Sequence, residues 1–155
     1  MYDLEHIWVF VGHSGKVADA EASFHGKYLK GMSLGQNVED GMHVRFFCQP
    51  GKHAFLPAGR LFTLLPDWNE VCNAEAGSMG LLVMDLFEDT LSTTPELQKT
   101  VCRYIREHFS FQPTLQFEPK GLEDSLFCPW PQLKAEIPAR IKKELARITE
   151  KRAAF

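Results

Sequence analysis

Histidine and cysteine, the residue types best suited to metal or nucleophilic chemistry, are scattered along this sequence. None of the six histidines stands in an H-x-H or H-x-x-x-H spacing, and none of the four cysteines belongs to a C-x-x-C pair. Such spacings bring two zinc ligands together on one element. His43 and His53 bracket a loop and can converge, so a metal-dependent enzyme stays as the least favoured functional hypothesis. We expect neither a metal nor a cofactor.

The charge of the chain is divided unevenly between its two parts. Residues 1–130 carry 10 basic and 17 acidic side chains, whereas residues 131–155 carry 7 basic and 3 acidic ones. A basic field over the whole chain, which nucleic-acid binding requires, is therefore absent, and we expect no nucleic-acid partner. We predict one α/β sandwich domain over residues 1–130. Residues 131–155 are predicted to form a basic C-terminal helix packed on that domain or extending from it.

The start of the chain and its cysteine content indicate a compartment. The first residues lack the basic and apolar regions of a secretory leader, and no apolar run approaches the roughly 18 residues that cross a bilayer. Widely spaced cysteines in such a chain are typical of free thiols. We expect a cytoplasmic protein without a membrane partner.

Apolar periodicity predicts alternating strands and helices. Residues 6–11, a nearly continuous apolar run, are typical of a central strand. Further strands are predicted over residues 43–48, 60–65, 80–87 and 114–117, and helices over residues 16–29, 95–108 and from residue 131 onward. The first helix is predicted because Val17, Ala20 and Phe24 recur at helical spacing. This order predicts an α+β fold, a two-layer α/β sandwich whose mostly antiparallel or mixed sheet carries its helices on one face.

Several segments, taken in order, resemble the small bacterial S-adenosylmethionine decarboxylase family. They are His6 in the first strand, the predicted helix at residues 17–28, the turn His53-Ala54-Phe55-Leu56-Pro57-Ala58-Gly59, the predicted strand at residues 61–65, Asp85-Leu86-Phe87, the predicted helix at residues 95–109, and Lys120-Gly121. The resemblance implies an AdoMet-decarboxylase-like sandwich. In that family an internal serine becomes a pyruvoyl group, which acts as the electron sink for decarboxylation.

The residues that this chemistry requires are replaced here. Asn69 stands where the family has its processing serine, and Glu70 stands where it has a histidine. Glu88 follows Phe87, so the proton-donating cysteine of the family is missing as well. Because an amide side chain cannot become a pyruvoyl ketone by this route, we expect a divergent relative that is not a pyruvoyl-dependent decarboxylase.

The leading functional hypothesis is that the cleft implied by the resemblance binds a cationic small molecule, S-adenosylmethionine or a related amine. Acidic side chains would attract the positive charge, and aromatic rings would stack against it. The predicted ligand-binding residues are Phe10, Trp68, Asn69, Glu70, Glu75, Phe87, Glu88 and Asp89. If a reaction takes place, the candidate catalytic residues are Glu70, Glu75 and His53, since each can act as a base.

A second hypothesis is a non-catalytic protein-binding module, either a regulatory partner or an inhibitor or immunity-type protein. The acidic body and the basic C-terminal segment suit electrostatic steering towards a partner. Trp8, Trp68 and Trp130 can anchor an interface, because tryptophan is enriched at binding hot spots. The alternative is that all three lie in the core, which the sequence favours more for Trp8, within a predicted strand, than for Trp130, between two prolines. A homodimer is compatible with this hypothesis.

Overall fold

The structure, a computed structural model, describes residues 4–25, 27–30 and 37–153, and it has the predicted α+β character. Within these residues the strands are β1 Ile7–Val11, β2 Val17–Phe24, β3 Lys27–Lys30, β4 Val38–Glu39, β5 His43–Val44, β6 Phe47–Cys48 and β7 Phe55–Leu56. The helices are α1 Pro95–Phe109 and α2 Trp130–Ala153. Short 3₁₀ turns cover Gly59–Leu64, Glu70–Cys72, Asp85–Phe87 and Asp124–Leu126.

The described chain divides into two compact units. The sheet unit comprises Leu4–Asn73 and Phe111–Phe117, and the helical unit comprises Ala74–Ser110 with residues 118–153. The predicted division into residues 1–130 and 131–155 stays a prediction, as does the arrangement of sheet and helices in two layers. Within the described residues, no helix is both long and apolar enough to cross a membrane.

The largest sheet of the sheet unit is antiparallel, in the order β1-β2-β3, so β2 is central and β1 lies at an edge. Ile7 is opposite Ala22, and Val9 is opposite Ala20. The turn between β1 and β2 is tight, and Gly15 occupies the left-handed region with φ of 76°. That conformation favours glycine and is typical of a three-residue hairpin loop.

Two predictions in this region are wrong. The helix predicted over residues 16–29 is instead β2 and β3, joined in a register that places Phe24 opposite Lys27. The apolar spacing of Val17, Ala20 and Phe24 fits a helix, but pairing with β1 on one side and β3 on the other decides the backbone. Residues 6–11 do form a strand, although it is an edge strand and not the central one.

The core of the sheet unit forms around Phe62, which has no exposed surface, together with Phe24, Ala54 and Leu56. Phe117 packs against this cluster, with its ring centroid 5.9 Å from that of Phe62.

The strands predicted over residues 60–65 and 114–117 are wrong, and the one over residues 43–48 is divided between β5 and β6. Residues 60–65 lie mostly in a 3₁₀ turn that begins at Gly59, where a Cβ would collide with the Phe117 ring. In the other segment, Leu115 has φ of 56°, which is incompatible with an extended strand.

The helical unit confirms both helices predicted for the C-terminal half. Thr94 caps α1, because its hydroxyl oxygen accepts a hydrogen bond from the Leu97 N–H at 3.2 Å. α2 contributes Ile137 to a second core cluster with Phe87 and Leu91.

The strand predicted over residues 80–87 is wrong, because a helix side chain bonds its backbone in place of a neighbouring strand. The Leu81 N–H donates to Gln98 Oε1 at 2.8 Å, and Gln98 Nε2 donates to the Leu81 carbonyl at 2.6 Å. Gln98 therefore satisfies the groups that a sheet ladder would use. The chain then enters the 3₁₀ turn Asp85–Phe87.

Candidate functional site

The residues predicted to bind a ligand are distributed over both units. The sheet unit holds Phe10, His53, Trp68, Asn69 and Glu70, and the helical unit holds Glu75, Phe87, Glu88 and Asp89. Their convergence on one cleft stays a prediction.

Asn69, the residue at the position of the family's processing serine, is half-buried and holds two segments of the sheet unit together. Its side-chain oxygen accepts hydrogen bonds from Gln112 Nε2 at 2.6 Å and from Asn73 Nδ2 at 3.1 Å. The Phe111 N–H donates to the Cys72 carbonyl at 2.8 Å, next to this cluster. These contacts fasten the Phe111–Phe117 segment to the turn that contains Asn69. Glu70 opens that turn and is exposed, and Trp68 is half-buried.

The candidates in the helical unit differ in their surroundings. Phe87 is buried and packs in the core with Leu91 and Ile137. Glu75, Glu88 and Asp89 are exposed. Phe87 therefore contributes to the stability of this unit.

Metal-ligating and nucleophilic residues form no recognisable centre in the described part of the chain. No group of three or more histidine, cysteine, aspartate or glutamate residues is placed there to hold a metal ion. The four cysteines are free thiols. Burial raises the pKa of Cys48, and it raises the pKa of Cys72 against a weaker opposite effect of Lys52. A raised pKa disfavours the nucleophilic thiolate, so neither thiol is activated.

One face of the three-stranded sheet is rich in polar groups. The Ser23 hydroxyl donates to a carboxylate oxygen of Glu5 and accepts a hydrogen bond from the His6 N–H at 2.6 Å. Glu21, two residues before Ser23, is only 6% exposed, and its Oε2 has no hydrogen-bond partner among the described residues. Lys30 lies opposite Glu21 in the register of β3.

β1 is the most unusual surface of the sheet unit, because it is apolar over its whole length and exposed at every residue. The exposed fractions run from 37% at Trp8 to 64% at Val11. In β2, by contrast, residues 20–24 are all buried. No charged residue and no proline lies within β1. The sheet thus has one apolar strand whose side chains are only partly covered by the chain's own residues.

The hydrogen-bond pattern shows which backbone groups of β1 point away from the sheet. The Ser23 N–H donates to the His6 carbonyl at 2.9 Å, so His6 and Ser23 form a hydrogen-bonded pair. Because such pairs alternate along an antiparallel ladder, Trp8 and Phe10 also bond to β2. The N–H and C=O groups of Ile7 and Val9 therefore face the outer edge. The register shifts by one residue between Phe10 and Val11, and beyond this shift the Gly12 N–H donates to the Lys16 carbonyl at 2.8 Å, so the groups of Val11 face the outer edge as well. No strand of the described chain pairs with that edge. We call these groups and the five side chains of β1 the open edge.

Two bonds on the far side of β2 agree with this assignment. The Ala20 N–H, opposite Val9, donates to the side chain of Asp19 at 2.8 Å. The Val17 N–H donates to the Gly41 carbonyl at 2.8 Å. The Ala20 N–H is directed away from β1, as the alternation requires. The Val17 N–H is also directed away, because the register shifts by one residue between Phe10 and Val11 and reverses the alternation along β2.

One further motif lies outside the described residues. Gly31-Met32-Ser33-Leu34-Gly35 has the G-x-S-x-G spacing in which hydrolases place a nucleophilic serine between a strand and a helix. β3 precedes this segment, but the described chain after it continues as the short strand β4 and not as a helix.

Comparisons with protein-family models, curated proteins and solved structures found no match to this chain. The resemblance to S-adenosylmethionine decarboxylases thus stays a prediction. The open edge was missed by sequence reasoning, which assigned residues 6–11 to the centre of a sheet. No signal inside those residues distinguishes the two positions, since buried central strands and apolar interface strands have the same composition.

Proposed function

We propose that this protein is a non-catalytic protein-binding module whose binding element is the open edge of β1. The observation that carries the proposal is a run of five apolar residues, each exposed, on a strand with one unpaired side. Proteins ordinarily protect edge strands with charges, proline or a covering segment, because a bare edge pairs with other chains. Apolar surface retained at an edge is typical of a binding site.

The chemistry of recognition would be strand addition. A partner strand would bond to the outward N–H and C=O groups of Ile7, Val9 and Val11, which supply affinity without regard to sequence. Trp8 and Phe10 project from the opposite face of the strand to Val9 and would supply aromatic anchors. Trp8 is one of the three tryptophans named above as possible anchors, and its exposed fraction of 37% supports that role over the core position that was its alternative.

Site-specific photo-crosslinking tests this proposal on the full chain. A photoreactive benzoyl-phenylalanine replaces Val9 in one variant and Leu64 in a matched control. Leu64 lies in the same unit, is apolar and is 77% exposed, but it belongs to no sheet. We expect covalent adducts with a protein, either another copy or a different chain, at position 9 and not at position 64. Equal adduct formation at both positions, or none at position 9, would contradict the proposal.

A cationic small molecule is a second candidate ligand, favoured by the unpartnered carboxylate oxygen of Glu21. A buried carboxylate is stabilised by a cation, and the Trp8 side chain projects from the same face of the sheet, since Trp8 is opposite Glu21. Titration calorimetry with S-adenosylmethionine and spermidine tests this candidate. We expect heat of binding that disappears in Glu21→Gln and persists in Glu70→Gln, which removes an exposed carboxylate of the same unit. Absence of heat with the natural chain would exclude it.

We also propose the cytoplasm as the compartment, supported by four free thiols. The AdoMet-decarboxylase-like sandwich stays a proposal about the fold. The protein-binding function does not depend on it, because the open edge is defined by β1 and β2 alone.

A further inference from the structure

We infer that the partner of the open edge is a second copy of this chain, with the two β1 strands antiparallel about a two-fold axis at Val9. This inference rests on the proposed function, since it names the partner of the same edge. The result would be one continuous sheet of six strands in the order β3-β2-β1-β1-β2-β3.

The register follows from the outward backbone groups. Within β1, the residues whose N–H and C=O groups face the outer side are 7, 9 and 11, so they must form the hydrogen-bonded pairs. One antiparallel register pairs all five residues of both strands. It places Val9 opposite Val9 of the second copy, and Ile7 opposite Val11 of the second copy. The two-fold axis adds the third pair, Val11 opposite Ile7 of the second copy. Each of the three pairs exchanges two hydrogen bonds, which satisfies all six outward groups of each strand.

In this register the β1 side chains of one copy fit against the β1 side chains of the second copy. Trp8 is opposite Phe10 of the second copy, and the two-fold axis repeats the pair, so two aromatic pairs form on one face. Ile7, Val9 and Val11 form an aliphatic row on the other face. No charge meets a like charge, since β1 carries none and His6 falls opposite Gly12 of the second copy. A two-fold interface requires this self-complementarity.

The opposite edge of the same sheet lacks these properties. β3 begins with Lys27 and ends with Lys30, and lysine on an edge strand opposes pairing with another chain. The charge pattern therefore assigns dimerisation to β1 and leaves β3 as the terminal strand.

Two variants with opposite charges at Val9 test whether the partner is a second copy and whether Val9 is paired with Val9. Val9→Lys would place two ammonium groups opposite each other, and Val9→Glu two carboxylates, whereas an equimolar mixture would place opposite charges together. By sedimentation equilibrium, we expect the natural chain at twice its 17.6 kDa and each variant alone at 17.6 kDa. The mixture should return to twice that mass. Each variant alone should dissociate at least about tenfold more readily, because like charges in an interface cost several kcal/mol.

Leu64→Lys is the matched control, since it adds the same charge to an exposed apolar position away from the sheet, and it should remain dimeric. If circular dichroism shows that a Val9 variant does not fold, Ile7→Glu mixed with Val11→Lys repeats the test at the neighbouring pair.

A natural chain that stays at 17.6 kDa at all concentrations would overturn the second-copy inference. If Val9→Lys alone and Val9→Glu alone each form a dimer as stable as the natural one, Val9 is not paired with Val9 and the proposed register is wrong. These failures are distinguishable from failure of the proposed function. Crosslinking at position 9 to a different protein would leave that function standing while the natural chain remained monomeric.

Discussion

α1 carries one apolar stripe and buries part of it, whereas β1 is apolar throughout and exposed at every residue. α1 buries Val101 and Thr100, and its Tyr104 hydroxyl accepts a hydrogen bond from Arg147 Nη2 of α2 at 2.5 Å. β1 is exposed at all five residues. Apolar residues buried by the chain stabilise its fold, whereas apolar residues left exposed on a strand add little to that stability. Substitutions in the two groups should therefore differ in their effect on the free energy of unfolding.

The largest effect on the free energy of unfolding is expected in the core of the sheet unit, and a much smaller one at its open edge. Phe62→Ala should lower the free energy of unfolding by about 3–5 kcal/mol, since the ring is fully buried. Val9→Ala should lower it by only about 0.5 kcal/mol in dilute solution, where the edge is unpaired. Urea unfolding monitored by tryptophan fluorescence measures both. A cost above about 2 kcal/mol for Val9→Ala at dilution would place that side chain in the core of a single chain.

The next largest effect is expected at Gln98 of α1, whose side chain bonds to the Leu81 backbone where a neighbouring strand would otherwise do so. Gln98→Leu should lower the free energy of unfolding by about 1–3 kcal/mol, because it leaves the Leu81 N–H and carbonyl without their partner. Gln132→Leu, on the exposed start of α2, is the matched control and should change it by less than about 0.5 kcal/mol. Equal costs in the two variants would argue against the bonds to Leu81.

A smaller effect is expected at the start of α1. Thr94→Ala should lower the free energy of unfolding by about 1 kcal/mol through loss of the cap to the Leu97 N–H. Thr94→Ser keeps the hydroxyl and should restore most of this loss. Thermal unfolding followed by circular dichroism measures both variants. A serine variant as unstable as the alanine variant would mean that the hydroxyl does not cap the helix.

The smallest effect is a pH dependence on the surface of α2. Hydrogen bonds from Gln132 and then from Arg140 lower the pKa of Glu136. Because the pKa of Glu136 is lower in the folded chain than in the unfolded chain, the ionised carboxylate stabilises the fold at pH values above the ordinary pKa of glutamate. This stabilisation is lost as the pH falls through the lowered pKa of the folded chain. The small difference in urea midpoint between the natural chain and Glu136→Gln should therefore be present at neutral pH and shrink in acid. A difference that grows in acid would contradict this sign.

The sequence predicted correctly those elements whose caps and apolar periodicity lie within one continuous stretch of chain. Thr94, Pro95 and the apolar stripe ending near Phe109 lie within one stretch of chain, and they define α1. The strands depended on distant partners that the sequence does not display. Val17 and Phe24 fit a helix until β1 pairs with Val17 and β3 pairs with Phe24. Residues 80–87 fit a strand until Gln98 takes the hydrogen bonds of Leu81.

The candidate site was predicted only in part. Trp8 was one of three candidate interface residues, with a core position as the favoured alternative, and it lies on the exposed strand. The outward groups of Ile7 and Val9 could not be predicted, because their direction depends on the register with Ala22 and Ala20. Whether a strand lies at the centre or the edge is a property of the whole sheet.

Hydrogen exchange of individual β1 amides, followed by NMR at increasing protein concentration, tests the open edge most directly. The amides of Trp8 and Phe10 bond to β2 and should exchange slowly at every concentration. Those of Ile7, Val9 and Val11 should exchange rapidly in dilute solution and become protected as the chain associates. A Val9 amide that is protected at the lowest concentration, or unprotected at the highest, would contradict the account.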